Sequence, residues 1–256
     1  MTDSPLELPD SSDFIPGIYN YCDRWCERCP LSHRCMNYAM EKQRWGDDPP
    51  RDMNDPQFWE AFEEVMEETL ALLVRMAEEL GFDPEEVDEA AMAEEDRKFE
   101  EAWEHPLTVA ATDYIKMVDT WFEKTEGDFR AKEETLAMLL RVNAPGVDPE
   151  AEAAALIDAV EVIRWYQFFI SAKLHRALMG RDEPDMGFPK DADGSAKIAL
   201  IAMDRSMAAW ERLLYAFPQR ETETLHILAH LQRLRRETEA LFPNARAFIR
   251  PGFDEM

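Results

Sequence analysis

All four cysteines of this 256-residue chain stand in one short segment, Tyr19 to Cys35 (YNYCDRWCERCPLSHRC): Cys22, Cys26, Cys29 and Cys35. The spacing C-x3-C-x2-C-x5-C lets four thiolates meet on a single ion or cluster with no help from any distant part of the chain. The 242 residues outside Cys22–Cys35 contain no cysteine, so the clustering is not accidental. A disulfide pair is the alternative chemistry, and it needs an oxidising compartment. The N-terminal residues MTDSPLELPDSSDF lack the basic and apolar regions of a secretory leader. A cytoplasmic location is therefore expected, where cysteine clusters serve metals or catalysis in preference to cross-links.

Two inorganic centres take four thiolates. Tetrahedral zinc would act as a closed structural clip, whereas a [4Fe-4S] cluster would add redox capacity. The run CERCPLSHRC, Cys26 to Cys35, resembles the C-x2-C-P-x4-C end of the iron-sulfur segment of RecB-type nucleases. In that family the first cysteine lies far upstream, whereas here Cys22 is only four residues from Cys26. The acidic and lysine residues of the nuclease have no counterpart, so the resemblance implies a cofactor and no nuclease. Pro30 and the x5 spacing favour the cluster, with structural zinc as the alternative. His33 is a further donor in the same loop, expected at its exposed side.

Elsewhere the polar chemistry is sparser. From Ile157 onward a helix expected over residues 150 to 179 is apolar all round, which places it in the middle of a bundle. Glu161, Arg164, Ser171 and His175 stand along one narrow stripe of it. Buried charges cost several kcal/mol unless paired, so Glu161 and Arg164 should bond each other or a neighbouring helix. The stripe is either a structural ion pair with a satisfied core histidine, or a polar pocket lined by Glu161, Arg164 and His175. Further on, Glu223, His226 and His230 form one E-x-x-H unit. A di-iron bundle needs inward carboxylates from its other helices too, and these are not found, so a polar flank is expected.

The elements that must position these groups are helical. Phe58, Phe62, Val65, Met66, Leu70, Leu73, Met76, Ala77 and Leu80 share one face of a helix over 58 to 80. Its other face carries glutamates. Asp55-Pro56 caps its start and Gly81 its end. Further helices are expected from Leu107 to Phe122, closed by Gly127, then over 131 to 141, 150 to 179, 196 to 217 and 221 to 242, with Asp193 or Ser195 as a cap. No strand pattern or internal repeat is present. The expected architecture is all-α, a bundle of about five main helices over 58–256, preceded by an extended segment (1–18), the four-cysteine loop with a short helix (19–44) and a breaker-rich linker (45–57).

Composition limits the partners. With 28 basic and 54 acidic residues the formal net charge is −26, a field that repels phosphate backbones and disfavours nucleic acid. No apolar run is long enough for a membrane span. Between residues 57 and 101 there are 17 acids and 3 bases, while residues 221 to 250 hold five arginines (Arg233, Arg235, Arg236, Arg246, Arg250) and four glutamates. This basic end is expected to lie against the acidic N-terminal helices. The sequence thus implies an iron-sulfur protein that passes electrons to, or senses redox state for, a protein partner. The alternatives are a zinc-stabilised helical adaptor, or an enzyme built on Glu161, Arg164 and His175.

Overall fold

The computed structural model describes residues 13–46, 55–81, 88–182 and 190–254. Among the described residues the regular structure is entirely helical, with seven α-helices and several single 3₁₀ turns. The helices are α1 (Met36–Trp45), α2 (Pro56–Leu80), α3 (Glu89–Glu104), α4 (Pro106–Arg141), α5 (Pro149–Met179), α6 (Asp191–Ala216) and α7 (Glu221–Leu241). None of them is long and apolar enough to cross a membrane. Three helices start at a capped X-Pro pair, where the missing proline N–H costs nothing. Asp55 Oδ1 accepts from Gln57 N at 2.9 Å, His105 Nδ1 from Leu107 N at 3.2 Å, and Asp148 Oδ1 from Ala151 N at 3.0 Å.

The chain divides into two compact units, Met1–Arg97 with Pro251–Met256, and Lys98–Arg250. Helix α2, expected as part of the bundle over 58–256, lies in the first unit.

In the second unit α4, α5, α6 and α7 each pack on their chain neighbours, and α4 packs on α7, closing a four-helix bundle. Neighbours run antiparallel. Lys132 of α4 pairs with Glu152 at the start of α5, whereas Asp119, a dozen residues earlier in α4, pairs with Arg164 farther along α5. The closest pairing is α5 with α6, where buried Ala192, Ser195, Ala196, Ala199 and Ala202 allow a near approach. At the bundle centre Trp121 lies 5.0 Å from Trp210, edge to face, and donates its indole N–H to Thr224 Oγ1 at 3.1 Å. Trp210 donates likewise to the Tyr114 hydroxyl at 3.0 Å. Both indoles thereby satisfy the polar group that burial would otherwise penalise. Burial pushes the Tyr114 hydroxyl up to about 12, so it stays protonated.

Two helix boundaries depart from expectation. Gly127 does not end a helix; α4 runs through it for 36 residues. A glycine inside a helix costs about 1 kcal/mol relative to alanine, and the burial of Trp121, Thr125 and Leu136 on either side outweighs that. Helix α6 starts at Asp191, before the expected cap, and the Asp191 carboxylate accepts two hydrogen bonds from Arg176, at 2.7 and 2.9 Å. The C-terminal arginines are also placed differently. Arg235 and Arg246 both bond Asp204 of α6, at 2.9 and 2.7 Å, and Arg246 also bonds Glu239 of α7, so these two charges are matched inside their own unit.

In the first unit Ile15 N bonds Arg34 O at 3.0 Å, joining the entering chain to the cysteine segment. Ile18 is buried, and Gly252 closes over it. A methyl group on Gly252, whose φ is +75°, would lie 2.6 Å from Ile15 Cδ1 and 3.3 Å from Ile18 Cδ1. Arg44 of α1 forms an ion pair with Glu68 of α2. Residues 1–12 of the expected extended segment and 47–54 of the linker fall outside the described residues.

Candidate metal centre

Three of the four cysteines, Cys26, Cys29 and Cys35, are set by a turn motif used twice. Cys26 opens a 3₁₀ turn (Cys26–Arg28) that Cys29 closes by donating its N–H to Cys26 O at 3.2 Å. Ser32 opens a second turn (Ser32–Arg34) that Cys35 closes in the same way, at 3.1 Å to Ser32 O. Both closing cysteines are in extended conformation. A 3₁₀ turn repeats every three residues, so Cys26 and Cys29 project from one side of theirs. Cys35 then donates no further turn bond; its carbonyl accepts from Ala39 N at 3.0 Å and so starts α1. Between Cys22 and Cys26 the chain reverses through Arg24, at φ +58°. A left-handed residue other than glycine costs about 1–2 kcal/mol. Asp23 Oδ1 holds the bend by accepting from Trp25 N at 3.3 Å.

All four cysteines are free and half-buried. The Cys22 thiol donates to Tyr19 O at 3.6 Å. Burial is the main cause that pushes Cys26 up to about 11, reinforced by the negative charge of Glu41 and then by Cys22, Cys35 and Cys29. Burial also raises Cys22, against the opposing pull of the Arg24 amide and charge. Cys26 thus feels all three other sulfurs, and the quartet shares one electrostatic neighbourhood. It does not form a finished cage: among the described residues no group of three or more His, Cys, Asp or Glu side chains is gathered closely enough to hold a metal ion.

The surroundings suit an anionic centre. Residues 19 to 45 hold five bases (Arg24, Arg28, Arg34, Lys42, Arg44) against three acids, in a chain whose net charge is −26. Four thiolates on a core of charge +2 leave a net charge of about −2, which a local excess of cations offsets. The Arg28 guanidinium lies 3.9 Å over the Trp25 ring, and Lys42 lies 5.6 Å over Tyr38. This local reversal of sign was open to inspection in the sequence; only the overall charge draws notice when the whole chain is summed. His33 is exposed, as expected of a loop residue.

The alternative pocket does not assemble. Glu161 is exposed, and Arg164 lies at the surface, bonded to Asp119 Oδ1 of α4 at 2.6 Å and to Gln167 Oε1 at 3.0 Å. Pairing with a neighbouring helix was one of the two expected solutions for Arg164, but the expected burial is not met, since the pair lies at the surface. His175 is eleven residues further along α5, about 16 Å at 1.5 Å per residue. It is buried, its Nε2 3.3 Å from Phe99 O and its ring 4.4 Å from that of Trp103 and 4.7 Å from that of Phe99. That is a satisfied core histidine. His230 is likewise engaged by a backbone carbonyl, Ala110 O, at 2.8 Å from Nε2. His226 and Glu223 line a cleft of about 250 Å³ between α4 and α7, together with Lys116, Lys124 and Arg220. Its cations are largely matched: Lys116 pairs with Asp113, and Arg220 with Asp128.

Compared with protein-family models, curated proteins and solved structures, the chain matches none.

Proposed function

We propose that Cys22, Cys26, Cys29 and Cys35 hold a [4Fe-4S] cluster, and that the protein passes electrons to, or reports redox state to, a protein partner. The observation that carries this is the doubled 3₁₀ turn of Cys26, Cys29 and Cys35, joined to Cys22 by the bend at Arg24, which keeps four free thiols in one electrostatic neighbourhood within fourteen residues. The donor set and the local cationic balance fit such a centre. Thiols gain nothing by converging on each other, so ligation would draw them inward and the binding free energy would tighten the first unit. When bound, the centre would supply one-electron chemistry. The chain's own part is to present four sulfurs, offset the charge with Arg24, Arg28, Arg34 and Lys42, and limit solvent with Tyr19, Tyr21, Trp25 and Tyr38.

The test is anaerobic purification with iron, zinc and acid-labile sulfide analysis. Iron and sulfide in equal amounts, with visible absorbance bleached by dithionite and lost in Cys29→Ser, support the proposal. Colourless protein with one equivalent of zinc would turn the same four ligands into a structural clip. Protein free of both metals after anaerobic purification and reconstitution would sink it.

A further inference from the structure

Helix α2 carries a second kind of site. Trp59, Phe62, Met66, Leu73, Met76 and Leu80, with Thr69 completing the series, recur at alternating steps of three and four residues along its whole length. A 3-4 alternation is the seam of a coiled coil, here widened by Leu70, Leu72 and Val74, which are exposed beside it. Every one of the six is exposed, from 44% at Met66 to 69% at Leu80. Among the described residues no other helix of the first unit packs along this stripe. The second unit leaves single apolar side chains such as Phe168 and Tyr215 exposed but also buries a core in which Trp210, Tyr166 and Leu213 are all but fully covered. A contiguous apolar stripe of this length on a folded protein marks an interaction surface.

The flanking charges say what covers it. Between Pro56 and Leu80 there are seven glutamates and one arginine, Arg75. Glu63 and Glu79 fall at the positions that border the seam, where charges choose the partner. A second copy of this chain would bring the same glutamates, on a molecule already at −26, to the same seam. An anionic lipid surface would be repelled for the same reason. We infer that α2 is the docking surface for a basic amphipathic helix of another protein, whose apolar residues fill the 3-4 seam and whose lysines or arginines meet the bordering glutamates. None of the seam residues lies in the cysteine segment, so this surface is tested separately from the iron and sulfide analysis.

The experiment uses the full chain and a fluorescent designed helical peptide of about 25 residues, with leucine and isoleucine at 3-4 spacing and lysine at the bordering positions. A control peptide carries glutamate in place of lysine. Anisotropy should show the lysine peptide binding at least about tenfold more tightly than the glutamate peptide, the gap narrowing as salt rises. The double variant Met66→Glu with Leu73→Glu should weaken lysine-peptide binding by about tenfold or more. Because both changes are on an exposed face, helicity should be retained, and the comparison of the two peptides on the unaltered protein needs no variant at all. Equal binding of both peptides, or binding of neither, overturns the inference. So does a dimer of the protein alone that the double variant returns to monomer, which would make a second copy the occupant. Amide exchange in α2 of the free monomer as slow as in α6 would show its own chain covering the stripe, and strong adsorption to neutral phosphatidylcholine vesicles would assign the face to lipid; either result overturns it as well.

Discussion

Helices α2 and α5 are both rich in apolar residues and meet opposite fates. In α2 the apolar residues keep to one side, and the side is exposed, Leu73 at 55% and Leu80 at 69%. In α5 they go nearly all the way round; Ile157 and Phe168 are exposed, but Ile163, Tyr166, Ile170 and Leu174 are almost fully buried between α4 and α6. Amphipathic order tells which face of a helix seeks cover; it does not tell what supplies the cover. The second unit supplies it from within, by closing four helices on each other. The first unit rests on turns, caps and a few apolar contacts, and the proposals above give it two further sources of order, a metal centre and a partner helix.

The largest expected contrast tests that difference directly. Trp210→Ala should destabilise the second unit by about 3–5 kcal/mol, because it removes a fully buried ring from the Trp121 cluster and leaves the Tyr114 hydroxyl short of a partner. Leu73→Ala should change stability by less than about 0.5 kcal/mol, as a substitution on an exposed face. Both are read by chemical denaturation. A Leu73→Ala loss as large as that of Trp210→Ala would abolish the distinction between the two helices.

Gly252→Ala sharpens the account of what holds the first unit. The new methyl meets Ile15 Cδ1 at 2.6 Å on a backbone at φ +75°, so a loss of about 1–2 kcal/mol is expected. Hydrogen exchange should show faster opening near Ile15 and Ile18, with α5 and α6 unchanged.

A smaller effect separates the units by pH. Burial works to raise the Asp204 carboxyl, but the hydrogen bonds and charges of Arg246 and Arg235 win and hold it below the usual carboxylate range. A depressed pKa means stability that is present above the unfolded value, about 3.9, and lost as pH falls through the folded one. The groups are more than a third exposed at Asp204 and Arg246, so screening limits the contribution to about 1 kcal/mol. Asp204→Asn should therefore weaken the second unit at pH 7 and flatten its loss of stability below about pH 4. Equal acid sensitivity in wild type and variant would remove the role given to this pair of arginines.

Smallest is Gly127→Ala, which should stabilise the second unit by about 0.5–1 kcal/mol. Nothing lies within 4 Å of the added methyl, and the position is inside a continuous helix. Thermal unfolding would register it, and a loss in place of a gain would mean that α4 is broken at Gly127 after all.

Much was legible in the sequence. The all-α class followed from 3.6-residue periodicity with no alternating runs, and the Asp55 and Gly81 boundaries followed from local cap chemistry, which depends only on adjacent residues. The four-cysteine segment was legible for the same reason: its potential ligands are neighbours in sequence. The failures share a different cause. Gly127 looked like a helix end because propensity weighs one residue at a time, while the packing of its neighbours decided the outcome. Glu161, Arg164 and His175 looked like one stripe, but position along a helix axis and the choice of neighbouring helix put them in separate environments. Local sequence determined which residues form helices, where their ends are capped and which sulfurs can act together. Only the tertiary structure decided which apolar faces are covered, because burial depends on which elements meet, and those meetings are set by contacts among residues far apart in the chain.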